Sequence, residues 1–170
     1  VNWGEGNPQT VTVGGGTFDI THQYLDDNPT ATPADTYTIA VTLTDDDGGS
    51  DTDSTTATIT NVAPTVAILG APSSSPEGTQ ITLGSSMSDP GTLDTHTSAW
   101  SVTRNGSAYA TGDGTGLSFT PNDNGTYVVT LTVTDDDTGT GSDSKTISVT
   151  NVKPVLGAIS ATSVNENGTV

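Results

Sequence analysis

The stretch Tyr127–Asp137, YVVTLTVTDDD, repeats an earlier stretch, Tyr37–Asp47, YTIAVTLTDDD. The two lie 90 residues apart, and the same offset relates Asn61-Val62 to Asn151-Val152. A period of that length is about one β-sandwich module, so the chain reads as a repeat protein. Within each copy apolar residues alternate with Thr, Ala or Val. A period of two lays the apolar set on one face of a strand and the small polar set on the other. Each strand then runs into three aspartates and a turn bearing glycine.

Length alone allows one or two domains in 170 residues, and the repeat decides for more than one. Residues 1–62 read as a first repeat lacking its opening strands. Residues 63–152 read as a complete second repeat, and residues 153–170 as the opening strand of a third. Val1 falls in what reads as mid-strand, and no signal peptide leads the chain, so an internal piece of a longer protein is expected.

Hydrophobic residues make up 30% and aromatics 5%, so each core must be thin. Thr, Ser, Gly, Asp and Val dominate, which favours strands and turns. No window sustains an apolar period of 3.6 residues, so almost no helix is expected. The net charge is −17, with Arg104, Lys145 and Lys153 the three basic residues. Such a surface repels phosphate backbones and anionic membranes, which argues against nucleic acid or membrane partners. It attracts divalent cations, although charge of this kind also serves simply to keep a protein soluble. There is no cysteine, which excludes thiol chemistry, disulfides and Cys-ligated zinc. No apolar stretch is long enough to span a bilayer as a helix.

In order, Thr10–Val13 and Thr17–Ile20 read as short strands around Gly14–Gly16, and Asp26–Asp35 as a surface loop with two prolines. Tyr37–Thr44 is the repeated strand, Asp45–Asp53 an acidic loop, and Thr55–Thr60 a closing strand. Asn61–Pro64 is a short junction that its proline stiffens. In the second repeat, strands are expected at Thr65–Leu69, Thr79–Leu83, Ser98–Thr103, Ala108–Thr111, around Leu117 and Phe119, and at Thr126–Thr134 and Lys145–Thr150. Ser85–Thr95 and Asp135–Asp143 read as acidic loops, and Asn105-Gly106 as a two-residue hairpin. Seven or so short strands in 90 residues is the pattern of an immunoglobulin-like sandwich. The expected class is therefore all-β, as tandem immunoglobulin-like sandwich repeats. Tyr127 and Tyr37 each enter a strand at the place of a tyrosine corner, where the hydroxyl bonds back to the chain.

Trp3–Gly6 (WGEG), His22–Tyr24 and the tyrosine-led strand running into TDDDGG resemble PKD (polycystic kidney disease) domains. The NVAPTV and NVKPV junctions are similar to those of bacterial PKD and cadherin-like arrays. Glu5 stands where WGDG is usual, and the second repeat takes its tryptophan from Trp100. The resemblance implies extracellular sandwich modules on bacterial adhesins, surface-layer proteins or secreted hydrolases, some of which bind calcium. It also implies that Glu77 and Glu166 occupy a region where cadherin-like modules use a Glu; read from the residues, both are solvent-facing turn positions.

In an immunoglobulin-like sandwich the loop after the second strand, the loop after the sixth and the incoming linker share one end. Here that end gathers Asp89 and Asp94, then Asp135, Asp136 and Asp137, and Asn61. Calcium takes six to eight oxygens from carboxylates, amides and carbonyls in irregular geometry, which such a set can supply. Aspartates at a loop tip are equally read as solvated charge, with one capping the turn. Asp45, Asp46 and Asp47 form the matching but incomplete set in the first repeat. His22 and His96 stand without the partners that zinc or catalysis needs, and no cleft of carboxylates converges, so no enzyme is expected.

The expected role is structural: a spacer, stalk or fibre module of a secreted or cell-surface protein, with calcium as its only cofactor candidate. Its partners would be neighbouring repeats. The tail Val155–Val170 could also complete the first repeat of another copy by strand addition, head to tail. The alternative is a module that binds carbohydrate or protein, which would present Trp3 or Trp100 on an exposed platform.

Overall fold

The computed structural model describes residues 1–28, 31–160, 163–164, 166 and 168. Among them the chain forms β1 (Ala34–Thr44), β2 (Ser50–Thr60), β3 (Thr65–Leu69), β4 (Ser74–Pro76), β5 (Ile81–Ser88), β6 (His96–Arg104), β7 (Ser107–Asp113), β8 (Gly116–Phe119), β9 (Gly125–Asp135) and β10 (Thr140–Thr150). β1 and β2 pair as an antiparallel ribbon, with Tyr37 opposite Ala57. The rest is a β-sandwich, in which a five-stranded sheet in the order β4-β10-β9-β6-β7 faces a three-stranded sheet β3-β5-β8. Among the described residues no helix is long and apolar enough to cross a membrane.

The alternation in the sequence sets the layers. Tyr127, Val129, Leu131 and Val133 of β9 all face inward. They meet Trp100 and Val102 of β6, Ile147 and Val149 of β10, and Ile68, Ile81, Leu83, Leu117 and Phe119 of the opposite sheet. β9 sits between β10 and β6, so its apolar face is the middle of the core. The Trp100 indole donates to the Gly114 carbonyl at 2.9 Å, which satisfies its only polar atom inside that core.

Both tyrosine corners form. Tyr127 donates its hydroxyl to the Asp123 carbonyl at 3.0 Å. Tyr37 reaches the carbonyls of Asn28 at 3.2 Å and Asp26 at 3.4 Å. Asn105 and Gly106 adopt φ of 48° and 85°, the left-handed pair that a two-residue hairpin demands. In the N-terminal segment Trp3 stacks on His22 at 5.0 Å, and His22 meets Glu5 at 2.8 Å and the edge of Tyr24. His22 thus packs beside the Tyr37 corner, with Tyr24 and Tyr37 ring centres 4.6 Å apart.

Several elements differ from expectation. Thr10–Val13 and Thr17–Ile20 form no strands, because they join no ladder; among the described residues the one isolated bridge of this region joins Asn2 to Ala40. Val155–Ser160 likewise stays out of any strand, with Val155, Leu156 and Ile159 exposed. The acidic loops are shorter than composition suggests, since β2 starts at Ser50 and β10 at Thr140. Asp143 therefore lies in a strand, where its carboxylate accepts the Ile68 N–H at 2.8 Å and pins β3 to β10. That bond first, and Lys145 second, hold Asp143 below the usual carboxylate range. β5 extends to Ser88, and β4, a three-residue strand, pairs parallel with β10. Glu77 accepts the Val152 N–H at 2.9 Å and so ties the outgoing junction to the sandwich.

Two expectations follow for stability. Tyr127→Phe removes one buried hydroxyl bond and should lower unfolding free energy by about 1 kcal/mol, read by denaturant unfolding. Thr138 is held at φ 73° at the place where the first copy has Gly48 at 84°. A β-branched residue there costs about 1–2 kcal/mol, while glycine adds about 0.5–1 kcal/mol of unfolded-state freedom. Thr138→Gly should therefore stabilise the chain by roughly 0.5 kcal/mol.

Candidate metal centre

The pleat that carries Val133 inward carries Asp135 inward as well, at the end of β9. Its Oδ1 accepts the N–H groups of Asp137 at 3.0 Å and Gly139 at 2.6 Å, which folds the turn back on itself. Its Oδ2 accepts the Asn61 amide at 2.9 Å, fixing the junction against the turn. Gly139 is required here, because an added Cβ would overlap the Asp135 carboxylate and lie 2.8 Å from the Asn61 side-chain nitrogen. Gly141 is required too, since a Cβ would overlap the Pro64 carbonyl.

The loop between β5 and β6 closes the second side. Asp89 accepts the Gly91 N–H at 3.0 Å with one oxygen and meets His96 Nε2 at 2.9 Å with the other. Asp136 accepts the Thr95 N–H at 2.9 Å and hydroxyl at 3.1 Å. Burial alone would raise Asp136, but those bonds outweigh it and hold the group below its ordinary range.

The third side comes from the segment that precedes the junction. Ala31, at φ 74°, donates its N–H to the Asp136 carbonyl at 2.8 Å, and the Thr32 N–H meets Asp137 Oδ1 at 3.4 Å. This brings Asp26 and Asp27 to the turn. Carboxylate oxygens of Asp26, Asp27 and Asp137 lie within 4.8 Å of one another, as do those of Asp89, Asp94 and Asp135, and those of Asp94, Asp136 and Asp137. A cleft of about 110 Å³ beside them is lined by Asp26, Asp27, Asn61, Gly91 and Asp94.

Sequence reasoning placed Asn61, Asp89, Asp94, Asp135, Asp136 and Asp137 at one end, and the fold brings them together. It did not include Asp26 and Asp27, which read as part of a surface loop. Their signal was a doubled aspartate just before the tyrosine corner, but nothing local says what that loop faces. Asp45, Asp46 and Asp47 are exposed and join no such group among the described residues. Asp45 nonetheless accepts the Asp47 N–H at 3.2 Å and the Gly49 N–H at 2.6 Å, the same turn as at Asp135. Glu77 lies at the other junction, bonded to Val152.

Four carboxylates in this centre keep a buried oxygen without a hydrogen-bond partner: Asp26 Oδ1, Asp27 Oδ2, Asp94 Oδ1 and Asp137 Oδ2. Asp27 is 3% exposed and Asp137 fully buried at 0%. A buried carboxylate without a partner is costly, and the usual remedies are a cation or a proton. Burial first, and the Asp137 charge second, raise Asp26 and Asp27 above the ordinary range. Burial and then Asp89 push Asp94 up to about 6. The donor set is all oxygen and hard, which suits calcium or magnesium over softer metals.

The PKD domain family matches residues 61–167, over the whole sandwich and beyond it. This chain belongs to the PKD domain family. PKD domains are typically non-catalytic, extracellular structural or binding modules. No curated protein sequence matches the chain. Among solved structures it is similar to fibronectin(III)-like modules of Clostridium thermocellum CbhA, at 15% identity and TM-score 0.43 over 73% of this chain and 68% of that one. It is also similar to a CARDB domain from Pyrococcus furiosus, solved in complex with di-metal ions, at 18% identity and TM-score 0.36 over 54% of this chain and 95% of that one.

The raised carboxylates set an acid response for the metal-free PKD chain. Asp94 titrates near 6 when folded and near its ordinary value of about 4 when unfolded, so between those values the folded state binds the extra proton. Stability in chelator should therefore rise as pH falls from about 6 to about 4. The lowered groups Asp136 and Asp143 act below that window, where stability is lost. Thermal unfolding across the range reads the slope, and Asp94→Asn should reduce it, leaving the part that Asp26 and Asp27 contribute.

Proposed function

We propose that this chain is a stretch of spacer or stalk from a secreted or cell-surface protein, of the adhesin, surface-layer or extracellular-filament kind. In this reading PKD sandwiches follow one another as tandem repeats of 90 residues, and calcium at the acidic end of the module stiffens the joint. The observation that carries it is the docking of the preceding segment onto the Asp135–Gly139 turn, through Ala31, Thr32 and Asn61, beside carboxylate oxygens without partners. Such a joint is built to hold two bodies in one orientation.

Two further features support the repeat reading. The Asp45 turn reproduces the hydrogen bonding of the Asp135 turn at the offset of the sequence repeat. The junctions on either side of the sandwich are both tied down, Asn61 to Asp135 and Val152 to Glu77. An array of units that touch only their neighbours sets a reach rather than a chemistry. The exposed apolar run Val155, Leu156 and Ile159 supports pairing of that segment with a neighbouring sandwich. Trp100 is 2% exposed, which argues against it as a sugar platform, and Trp3, the other candidate, is half-buried and stacked on His22.

Small-angle scattering of the chain in millimolar calcium tests the reading. A rod-like particle with one narrow distribution of dimensions is expected. A broad distribution, as from bodies on a loose tether, would sink the spacer assignment.

A further inference from the structure

We infer that the calcium centre is shared across the joint, with Asp26 and Asp27 of the preceding segment and Asp94 and Asp137 of the PKD sandwich as its carboxylate ligands. The inference rests on the spacer reading and names the residues through which an ion would hold the joint. It differs from a site confined to the sandwich, in which the aspartate run and the β5–β6 loop would suffice.

The hydrogen bonds sort the carboxylates into two kinds. Asp89, Asp135 and Asp136 each have both oxygens engaged, by Gly91 and His96, by Asp137, Gly139 and Asn61, and by Thr95. They hold the loops in place and are positioning residues. Asp26, Asp27, Asp94 and Asp137 each keep one buried oxygen with nothing to accept from. Among the described residues none of these four forms an ion pair with Lys, Arg or His. Asp137 is common to both groups, the one with Asp26 and Asp27 and the one with Asp94 and Asp136.

Two oxygens each bound at about 2.4 Å can lie no more than about 4.8 Å apart. Asp26, Asp27 and Asp137 meet that limit with one another, and Asp94 meets it with Asp137, so Asp137 joins the two sets. The adjoining cleft of about 110 Å³ leaves room for water to complete the coordination. The Asp26 carbonyl also accepts the Tyr37 hydroxyl, so the first tyrosine corner holds the Asp26–Asp27 loop toward the sandwich.

It follows that the full ligand set exists only when the two parts are docked. The ion then stabilises the docked arrangement by its differential affinity, and its removal leaves four carboxylates facing one another. Calcium would be a conditional lock on the orientation of the joint.

The test is calorimetric titration of calcium chloride into the whole chain and into charge-neutralised variants. A cooperative thermal unfolding transition confirms in each case that the chain is folded. The paired change Asp26→Asn and Asp27→Asn, both outside the sandwich, should weaken calcium binding at least tenfold. Asp137→Asn should abolish it, and the equally neutralising pair Asp51→Asn and Asp53→Asn on β2 should leave it unchanged. Wild-type affinity in the Asp26/Asp27 pair would place the site within the sandwich and overturn the inference, while the scattering experiment still decides the spacer reading. Absence of calcium uptake by the folded wild-type chain would overturn it equally. Should Asp137→Asn fail to fold, the Asp26/Asp27 pair decides by itself.

Discussion

Along β9 the side chains of Tyr127, Val129, Leu131 and Val133 enter the core in turn, and the two-residue period does not stop where the hydrocarbon does. It delivers Asp135 to the same face. A carboxylate in that position is tolerable only if its lone pairs are used. Two backbone N–H groups and the Asn61 amide use them. Those bonds curl the chain so that Asp137 is fully enclosed. A slip of one residue in the β9–β10 register would turn the apolar set outward and the aspartates into solvent together. Packing of the strand and placement of the acidic centre are thus one constraint.

The chain gives carboxylates partners where it can. Glu5 and Asp89 each meet a histidine ring, His22 and His96, while Asp123 pairs with Arg104 and Asp143 with Lys145. Of its three Lys and Arg residues, Arg104 and Lys145 pair with Asp123 and Asp143, and none pairs with a carboxylate of the joint among the described residues. The burial that first raises Asp26, Asp27 and Asp94, and the repulsion that adds to it, therefore remain in the folded chain, concentrated where two parts of the molecule meet.

Much of this was legible in the sequence, for local reasons. Alternation marked β9 and β10, the Asn105-Gly106 dipeptide marked its hairpin, and Gly125-Thr126-Tyr127 marked the corner. The aspartate run was legible as a loop tip at the end of a buried strand. What escaped was non-local. Asp26 and Asp27 acquire a role only through the docking of their loop, which no neighbour in sequence encodes. Asp143 looked like more acidic loop because composition cannot tell that one carboxylate is consumed by Ile68 across the sandwich. Ser74–Pro76 carries no pattern and becomes a strand only because β10 lies beside it. Thr10–Val13 has the right composition and no ladder to join.

The parallel pairing of β4 with β10 has a further consequence. The chain enters the sandwich through β3, and β4 follows it at the same edge; the chain leaves at the far end of β10. Tension applied through the two junctions pulls β4 and β10 in opposite directions along their common axis. The bonds from Ser148 N–H to the Ser73 carbonyl, from Glu77 N–H to the Thr150 carbonyl and from Val152 N–H to the Glu77 carboxylate lie across that axis. They are loaded in shear and must yield together, whereas a hairpin pulled from its open end yields one bond at a time. The weakest-looking strand of the module is therefore the one that sets how hard it can be pulled.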